Sequence, residues 1–304
     1  MKFSLPYIDQ ELSFWDGLAR EYKNHIEEIY FPLSNTIISS GRPVQPHIHL
    51  YPFLEKADVP KAVLINPIIL QKPFEQIEHD VLQELHFLKQ YYGITKVTVT
   101  DLLLCKSIKT HFNDFHISAS TLMQINSSEK IYYIRHYVDC ITPDTSVLRN
   151  LKKLKEIRDT FHGSLKIIVN EGCLPACPFR IQHFFEMCSN IDYPRSLCRD
   201  LLNDFPWLRI KSSWVLPQHL HLYDGLSDII KLDGRVTLQN PKKFLKVFKA
   251  YLERTPLPPN EIGCGPAGMI KDIPISEKFF YTTIACEKKC SHCRICQDYY
   301  EKYI

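Results

Sequence analysis

No stretch of this chain is apolar for long enough to cross a membrane. Its uninterrupted apolar runs are of strand length, Ala62 to Ile65 among them, against the roughly 20 residues a spanning helix requires. The opening residues Met1-Lys2-Phe3-Ser4-Leu5-Pro6 lack the apolar core of a secretory signal, so a cytoplasmic location without membrane insertion is expected. Excess charge is missing too. The 37 Lys and Arg against 34 Asp and Glu leave a formal net charge of +3, too small for electrostatics alone to nominate a polyanionic partner. The clustered Lys242, Lys243, Lys246 and Lys249 read as the solvated face of a helix. The sequence has no G-x-S-x-G elbow, no G-x-G-x-x-G turn and no P-loop, which removes the usual arguments for hydrolase, dinucleotide and nucleotide chemistry. It also carries no protease signature and no internal repeat.

Cysteine is scarce in the first half of the chain and crowded in the second. Of 11 cysteines, only Cys105 and Cys140 lie early, and these two read as core residues, as does Cys188 among Phe184 and Phe185. Without a secretory context the remainder point to metal ligands or reactive thiols rather than to a disulfide framework.

Short β-rich runs alternate with helical stretches, the pattern of a parallel sheet built from βα units. Strands are expected at Lys2–Tyr7, Glu28–Leu33, Ala62–Pro67, Lys96–Thr100, Phe115–Ala119, Tyr137–Ile141, Leu165–Val169, Leu208–Ser212 and Ile229–Leu232. That is one more than an eight-stranded barrel needs. Helices are expected at Gln10–His25, Pro73–Tyr91, Thr145–Phe161, Phe179–Ser189 and Pro241–Leu252, where apolar residues recur at three- and four-residue spacing. The fold class is therefore α/β, a TIM-like (β/α)8 barrel over residues 1–254. A cysteine-rich, metal-binding segment over 255–304 follows Pro256, Pro258 and Pro259, and is too short to fold without a metal or the barrel surface.

Two groups of cysteines carry chemistry. In Asn170-Glu171-Gly172-Cys173-Leu174-Pro175-Ala176-Cys177 a strand runs into a glycine turn, two thiols and a helix start, whose N-terminus favours thiolate charge. Cys198 follows about 20 residues later. At the other end, Cys286, Cys290, Cys293 and Cys296 form a C-x3-C-x2-C-x2-C run. Structural zinc usually draws on two separated pairs, whereas dense runs with gaps of two and three resemble iron–sulfur ligation. The run is thus expected to bind a four-iron cluster, with zinc as the alternative. The C-x3-C-x2-C subset matches the spacing of radical S-adenosylmethionine enzymes, but its place at the far C-terminal end rather than after the first strand argues against that chemistry.

The segment Ile230-Lys231-Leu232-Asp233-Gly234-Arg235, followed by a helix ending Phe248-Lys249-Ala250-Tyr251, resembles the Phe-Lys-Ile-Glu-Gly-Arg signature of the peptidase U32 (collagenase-like) family. Gly172-Cys173 with Cys177, the pair Cys198-Arg199, and His116-Ile117-Ser118-Ala119-Ser120 are similar to further parts of that family's pattern. The resemblance spans most of residues 1–253. It implies a TIM-like barrel with a four-iron, four-sulfur cluster on Cys173, Cys177 and Cys198, and it includes oxygen-independent hydroxylases of ubiquinone precursors and RNA as well as a peptidase label. The family's fourth cysteine precedes its signature, and Ile210–Tyr223 contains none. Either Cys264 from the tail supplies the fourth ligand or the cluster keeps an iron open for substrate, with His219 and His221 as weaker candidates. The C-terminal run suggests a subfamily with a second cluster.

Lys231, Asp233 and Arg235 fall on one side of their strand. They form either an ion-pair network closing the barrel or a site for an anionic substrate group, and Arg42 after an early strand can serve likewise. His47 and His49, and His219 and His221, read as surface-loop histidines. The expectation is an iron–sulfur enzyme carrying out oxygen-independent hydroxylation or a related redox step, with one or two clusters, an electron donor, and an unidentified small-molecule, peptide or RNA substrate. The alternatives are a noncatalytic iron–sulfur subunit that binds a homologous partner and, ranked lower, a peptidase.

Overall fold

Eight short strands with alternating outward apolar residues close into a parallel barrel. The computed structural model describes residues 1–33, 46–66, 72–174, 177–189, 196–235, 237–263, 273–286 and 288–304. The strands are β1 (Lys2–Pro6), β2 (Ile26–Pro32), β3 (Lys61–Ile65), β4 (Lys96–Val99), β5 (His116–Ala119), β6 (Cys140–Ile141), β7 (Ser164–Ile168) and β8 (Ile229–Lys231). Each pairs in parallel with its sequence neighbour, and β8 closes on β1 through Phe3 opposite Ile230 and Ser4 opposite Lys231. Each strand is followed by helix, as a parallel connection demands. In order these are α1 (Leu12–Tyr22), α2 (Leu50–Lys56), α3 (Phe74–Tyr92), α4 (Leu102–His111), α5 (Ser128–Ile134), α6 (Leu151–Thr160), α7 (Arg180–Ser189), α8 (Ser196–Asp204), α9 (Pro241–Glu253), α10 (Glu277–Ala285) and α11 (Ile295–Glu301).

Local sequence explains the helix ends. The side chains of Asp101, Asn150, Asn240 and Ser276 accept from backbone N–H groups in the first turns of α4, α6, α9 and α10, each cap stabilising by roughly 1 kcal/mol. Gly93 ends α3 in the left-handed region at φ 64°, where a side chain is disfavoured. The main core lies between barrel and helices. Phe3, Leu5, Ile29, Phe31, Val63, Ile65, Val97, Val99, Ile117, Leu165, Ile167 and Ile230 point outward into it, beside Trp15, Phe244 and Phe248.

The ninth expected strand, Leu208–Ser212, is not a strand. Residues Pro206–Lys211 form a 3-10 helix in which Leu208, Arg209 and Ile210 are all buried, without the alternation of a half-buried strand. Two causes are visible. Pro206 suits the first helical position, and β7 pairs directly with β8 (Ile168 opposite Lys231), so no ladder is open to a further strand. The carbonyls of this stretch bond instead to the buried guanidinium of Arg149, which donates to Ile210, Ser212 and Trp214.

Candidate functional site

The inside of the barrel is polar. Inward positions include Ser4, Glu28, Thr98, Ser118, Cys140, Lys166 and Lys231, all buried, in place of the branched apolar layers usual in such barrels. Tyr30, Ala62 and Leu64 make a small apolar cluster separate from the main core. Across the interior Lys166 donates to Glu28, and the Ser4 hydroxyl donates to the same carboxylate oxygen at 2.7 Å. Burial alone pushes the Glu28 carboxyl up, but the Lys166 ammonium and these hydrogen bonds outweigh it and hold it at about 2.

Above this pair, at the C-terminal end of β8, Lys231 Nζ lies 4.2 Å from the centre of the Tyr30 ring. That ring is fixed by its hydroxyl, which donates to the Leu232 carbonyl at 2.7 Å. Burial, then the neighbouring Lys166, pushes the Lys231 ammonium down to about 7. The turn after β8 is tight: a Cβ on Gly234 would lie 2.5 Å from the Leu238 side chain. Asn170, at the end of β7, clasps this turn by donating to the Asp233 carbonyl at 2.6 Å and accepting from the Asp233 N–H at 2.7 Å. In the loop after β1, Asp9 accepts from the Tyr7 hydroxyl and from the N–H groups of Ile48 and His49. His47 packs edge-on to Tyr7 and is depressed first by burial, with Asp9 opposing and Arg235 reinforcing.

The first thiol group follows directly from Asn170. Cys177 and Cys198 share a side-chain hydrogen bond, and Cys173 stands within electrostatic reach of both. The Cys198 contact, then the N–H groups of Phe179 and Arg180 at the start of α7, hold Cys177 at about 6, while Cys173 is pushed well up by burial and by Glu171. Arg180 ties this loop to the end of β6 through Asp144 and Thr145. All three cysteines are free thiols of intermediate exposure.

The second group lies on the flank where α6 begins. Cys286 and Cys296 are half-buried, and Cys290 and Cys293 are exposed. Cys286 Sγ contacts the Thr283 carbonyl at 3.3 Å, and Lys288 takes a left-handed φ of 60° in the turn that follows. Cys286 and Cys290 each lie within electrostatic reach of Cys296, and Arg149 and Lys288 bring positive charge to Cys286 and Cys296, with Lys211 adding to it at Cys296.

Of the residues expected from sequence, the structure therefore gathers Cys173, Cys177 and Cys198 at one place, and Lys231, Asp233 and Arg235 beside it. Arg42 and Cys264 lie outside the described residues. Among the described residues, no group of three or more Cys, His, Asp or Glu is drawn close enough to hold a metal ion. Lys231 and Asp233 form no ion pair; Lys231 rests on an aromatic ring. Two histidine readings change. His219 is buried at 2 % exposure and stacks on Phe280 at 4.5 Å, and His47 is half-buried. Cys105 and Cys140 are buried as expected, although Cys140 faces the barrel interior. Glu28, Lys166, Asn170, Arg180 and Arg149 were not singled out by sequence. Lys166 left a signal, a lone charge in the apolar run Leu165 to Val169.

No family model matches the chain. The solved structure of the U32 peptidase Mk0906 superposes on it with a TM-score of 0.54 at 13 % identity, covering 76 % of this chain and 92 % of that one. That likeness is one of fold, a closed barrel of parallel strands with helices between them. In sequence, the chain is 32 % identical over 232 residues to the uncharacterized protease MJ1657 of Methanocaldococcus jannaschii, covering 69 % of this chain and 66 % of that protein. It spans about two thirds of that relative's length. No helix among the described residues is long and apolar enough to cross a membrane.

Proposed function

We propose that the chain is an iron–sulfur enzyme that binds its substrate at the barrel mouth and modifies it by oxygen-independent hydroxylation or a related redox step. The observation that carries this reading is the convergence of Cys173, Cys177 and Cys198 beside the end of β8, with Asn170 locking the two loops together. The donor set fits a thiolate-ligated cluster. Cys177 of the loop after β7 already touches Cys198 of α8, Cys173 stands within electrostatic reach of both, and backbone N–H groups from the start of α7 face the sulfur of Cys177. The small closure that metal binding requires would fall on the loop itself, with Cys264 as the fourth thiolate or an open iron in its place.

Such a cluster supplies one-electron chemistry when bound. The protein's own groups do the rest. Asn170 sets the distance between the thiol loop and the β8 turn, Arg180 anchors the loop against the end of β6, and Arg235 orients an anionic part of the substrate beside Lys231. The substrate is a small molecule, a peptide or an RNA segment. Cys286, Cys290, Cys293 and Cys296 would hold a second cluster that passes electrons or braces the barrel flank, with zinc as the other occupant of that site.

The test is iron and acid-labile sulfide per chain, with EPR after reduction, on anaerobically purified protein. Cys173→Ser with Cys177→Ser, and separately Cys286→Ser with Cys290→Ser, should each remove roughly four irons. Zinc alone, or no iron in the wild type, would overturn the redox reading. The name of the archaeal relative favours a second reading, a peptidase. Peptide hydrolysis by the wild type that disappears in Cys173→Ala would establish it.

A further inference from the structure

Lys231 is buried among charges, yet no carboxylate holds it. Its side chain is at 9 % exposure. In the register it sits between Ser4 of β1 and Ile168 of β7, so it points into the barrel at the C-terminal face, where barrel enzymes keep their reacting groups. The buried carboxylate of Glu28, inside the barrel, is occupied by Lys166 and Ser4. Among the described residues no hydrogen bond or ion pair is made by Lys231 Nζ. Its contact is the face of Tyr30, which is packed by Ala62 and Leu64.

Two influences compete over its charge. The aromatic face favours the ammonium. Burial and the Lys166 cation disfavour it, Arg235 adds to them, and Glu28 and Asp233 only partly oppose, so the balance falls at about 7. At neutral pH a large share of Lys231 is therefore a free amine with its lone pair uncommitted. That is how a lysine becomes a nucleophile toward carbonyl carbon: desolvated and next to another cation.

We propose that Lys231 is a catalytic nucleophile that forms an imine with the carbonyl group of a small oxo acid. The amine nitrogen bonds to the carbonyl carbon, the carbon–oxygen bond breaks, and the oxygen leaves with both amine hydrogens as one water. No oxidant or reductant is consumed. The acid group follows from the charge balance. The charges facing a neutral Lys231 are Lys166 and Arg235 against Glu28 and Asp233, which cancel. A protonated imine adds one positive charge that no spare protein carboxylate meets, and a carboxylate on the adjacent carbon of the substrate offsets it. Arg235, after β8, and His47, packed on Tyr7 after β1, lie within electrostatic reach of one another on the side where that carboxylate would rest.

The inference is independent of the thiol centre. Full-length protein is incubated at pH 7 with glyoxylate or pyruvate and sodium cyanoborohydride, then digested and mapped by mass spectrometry. The reduced adduct should appear at Lys231 more than about tenfold faster than at any surface lysine, whose ordinary amines are almost wholly protonated at that pH. Its rate should climb through pH 7 and level off, while surface labelling keeps rising toward pH 10. The neutral carbonyl propanal should label Lys231 more slowly than the oxo acids do. Adducts spread evenly over the lysines would overturn the proposal, and so would propanal labelling Lys231 as fast as glyoxylate. The wild-type map needs no variant to fold. Lys231→Arg, which keeps the charge and cannot form the imine, should lose this adduct alone. Iron is measured separately in the same samples, so the metal reading and this one stand or fall apart.

Discussion

Glu28 and Lys166 are the kind of residues that a barrel interior excludes unless they satisfy each other. Each is almost fully buried, at 2 % and 1 % exposure, and each would be costly alone. Lys166→Met should therefore strand the Glu28 carboxylate and lower stability by about 3–5 kcal/mol, whereas Lys166→Met combined with Glu28→Gln should cost far less. Urea denaturation at pH 7 compares them, and a single variant as mild as the double would show that the pair is not coupled. The pair also sets an acid limit. The Glu28 carboxyl titrates at about 2 in the folded protein against an ordinary 4.5, so its stabilisation is complete above about 4.5 and is lost as pH falls toward 2. The double variant should lack this step. At this scale the sequence was readable where spacing carried the message, as in Cys173 and Cys177 or in Lys231, Asp233 and Arg235. It was silent where a residue's meaning came from a partner far along the chain: Glu28 and Lys166 are 138 positions apart, and nothing local marks either as half of a pair.

At the scale of elements, the segment after α8 shows what periodicity can miss. Leu208 to Ser212 has the composition of a strand, and eight of the nine expected strands are present near their expected places, but composition cannot reveal that the barrel closes without this one. Its backbone groups still need partners, and Arg149 supplies them from the start of α6. The same guanidinium donates to Thr283 on α10 and lies over the rings of Trp214 and Phe280. One side chain thus joins α6, the 206–216 segment and α10. Burial pushes it down only to about 10, so it stays charged at neutral pH. Arg149→Met should leave three buried carbonyls without donors and cost about 3 kcal/mol or more. Hydrogen exchange should quicken in 208–216 and 277–285 while β1 to β5 stay protected. Unchanged exchange in 277–285 would mean that the tail docks by apolar packing alone.

For the whole molecule, the question is how the C-terminal tail is held to the barrel. Its helices bring Phe279, Phe280 and Ile284 into the main core, and Tyr299 stacks on Phe279 at 3.6 Å while its hydroxyl donates to the Pro274 carbonyl. Cys286 and Cys296 are thereby set beside Arg149, so any metal they bind is coupled to the packing of the barrel flank. This docking has an acid-sensitive element in His219. Burial against Phe280 holds its ring at about 4, with Arg149 and His221 adding to the depression and Glu277 opposing it. When the tail is docked, His219 stays neutral down to that value, whereas in the unfolded chain it takes up a proton near 6.5. Stability should thus be level above about 6.5 and fall as pH drops toward 4, by at most about 1.4 kcal/mol per pH unit from this group. His219→Phe keeps an aromatic ring on Phe280 and removes the titration. Thermal melts at pH 7 and pH 5 should show a clearly smaller acid loss in His219→Phe than in the wild type, with faster exchange at pH 5 in α10 of the wild type alone. Equal losses in the two proteins would assign the acid sensitivity to other groups. A smaller loss in the variant, together with faster exchange in α10 of the wild type alone, would show that the tail releases from the barrel through His219, carrying Cys286 and Cys296 away from Arg149 as it goes.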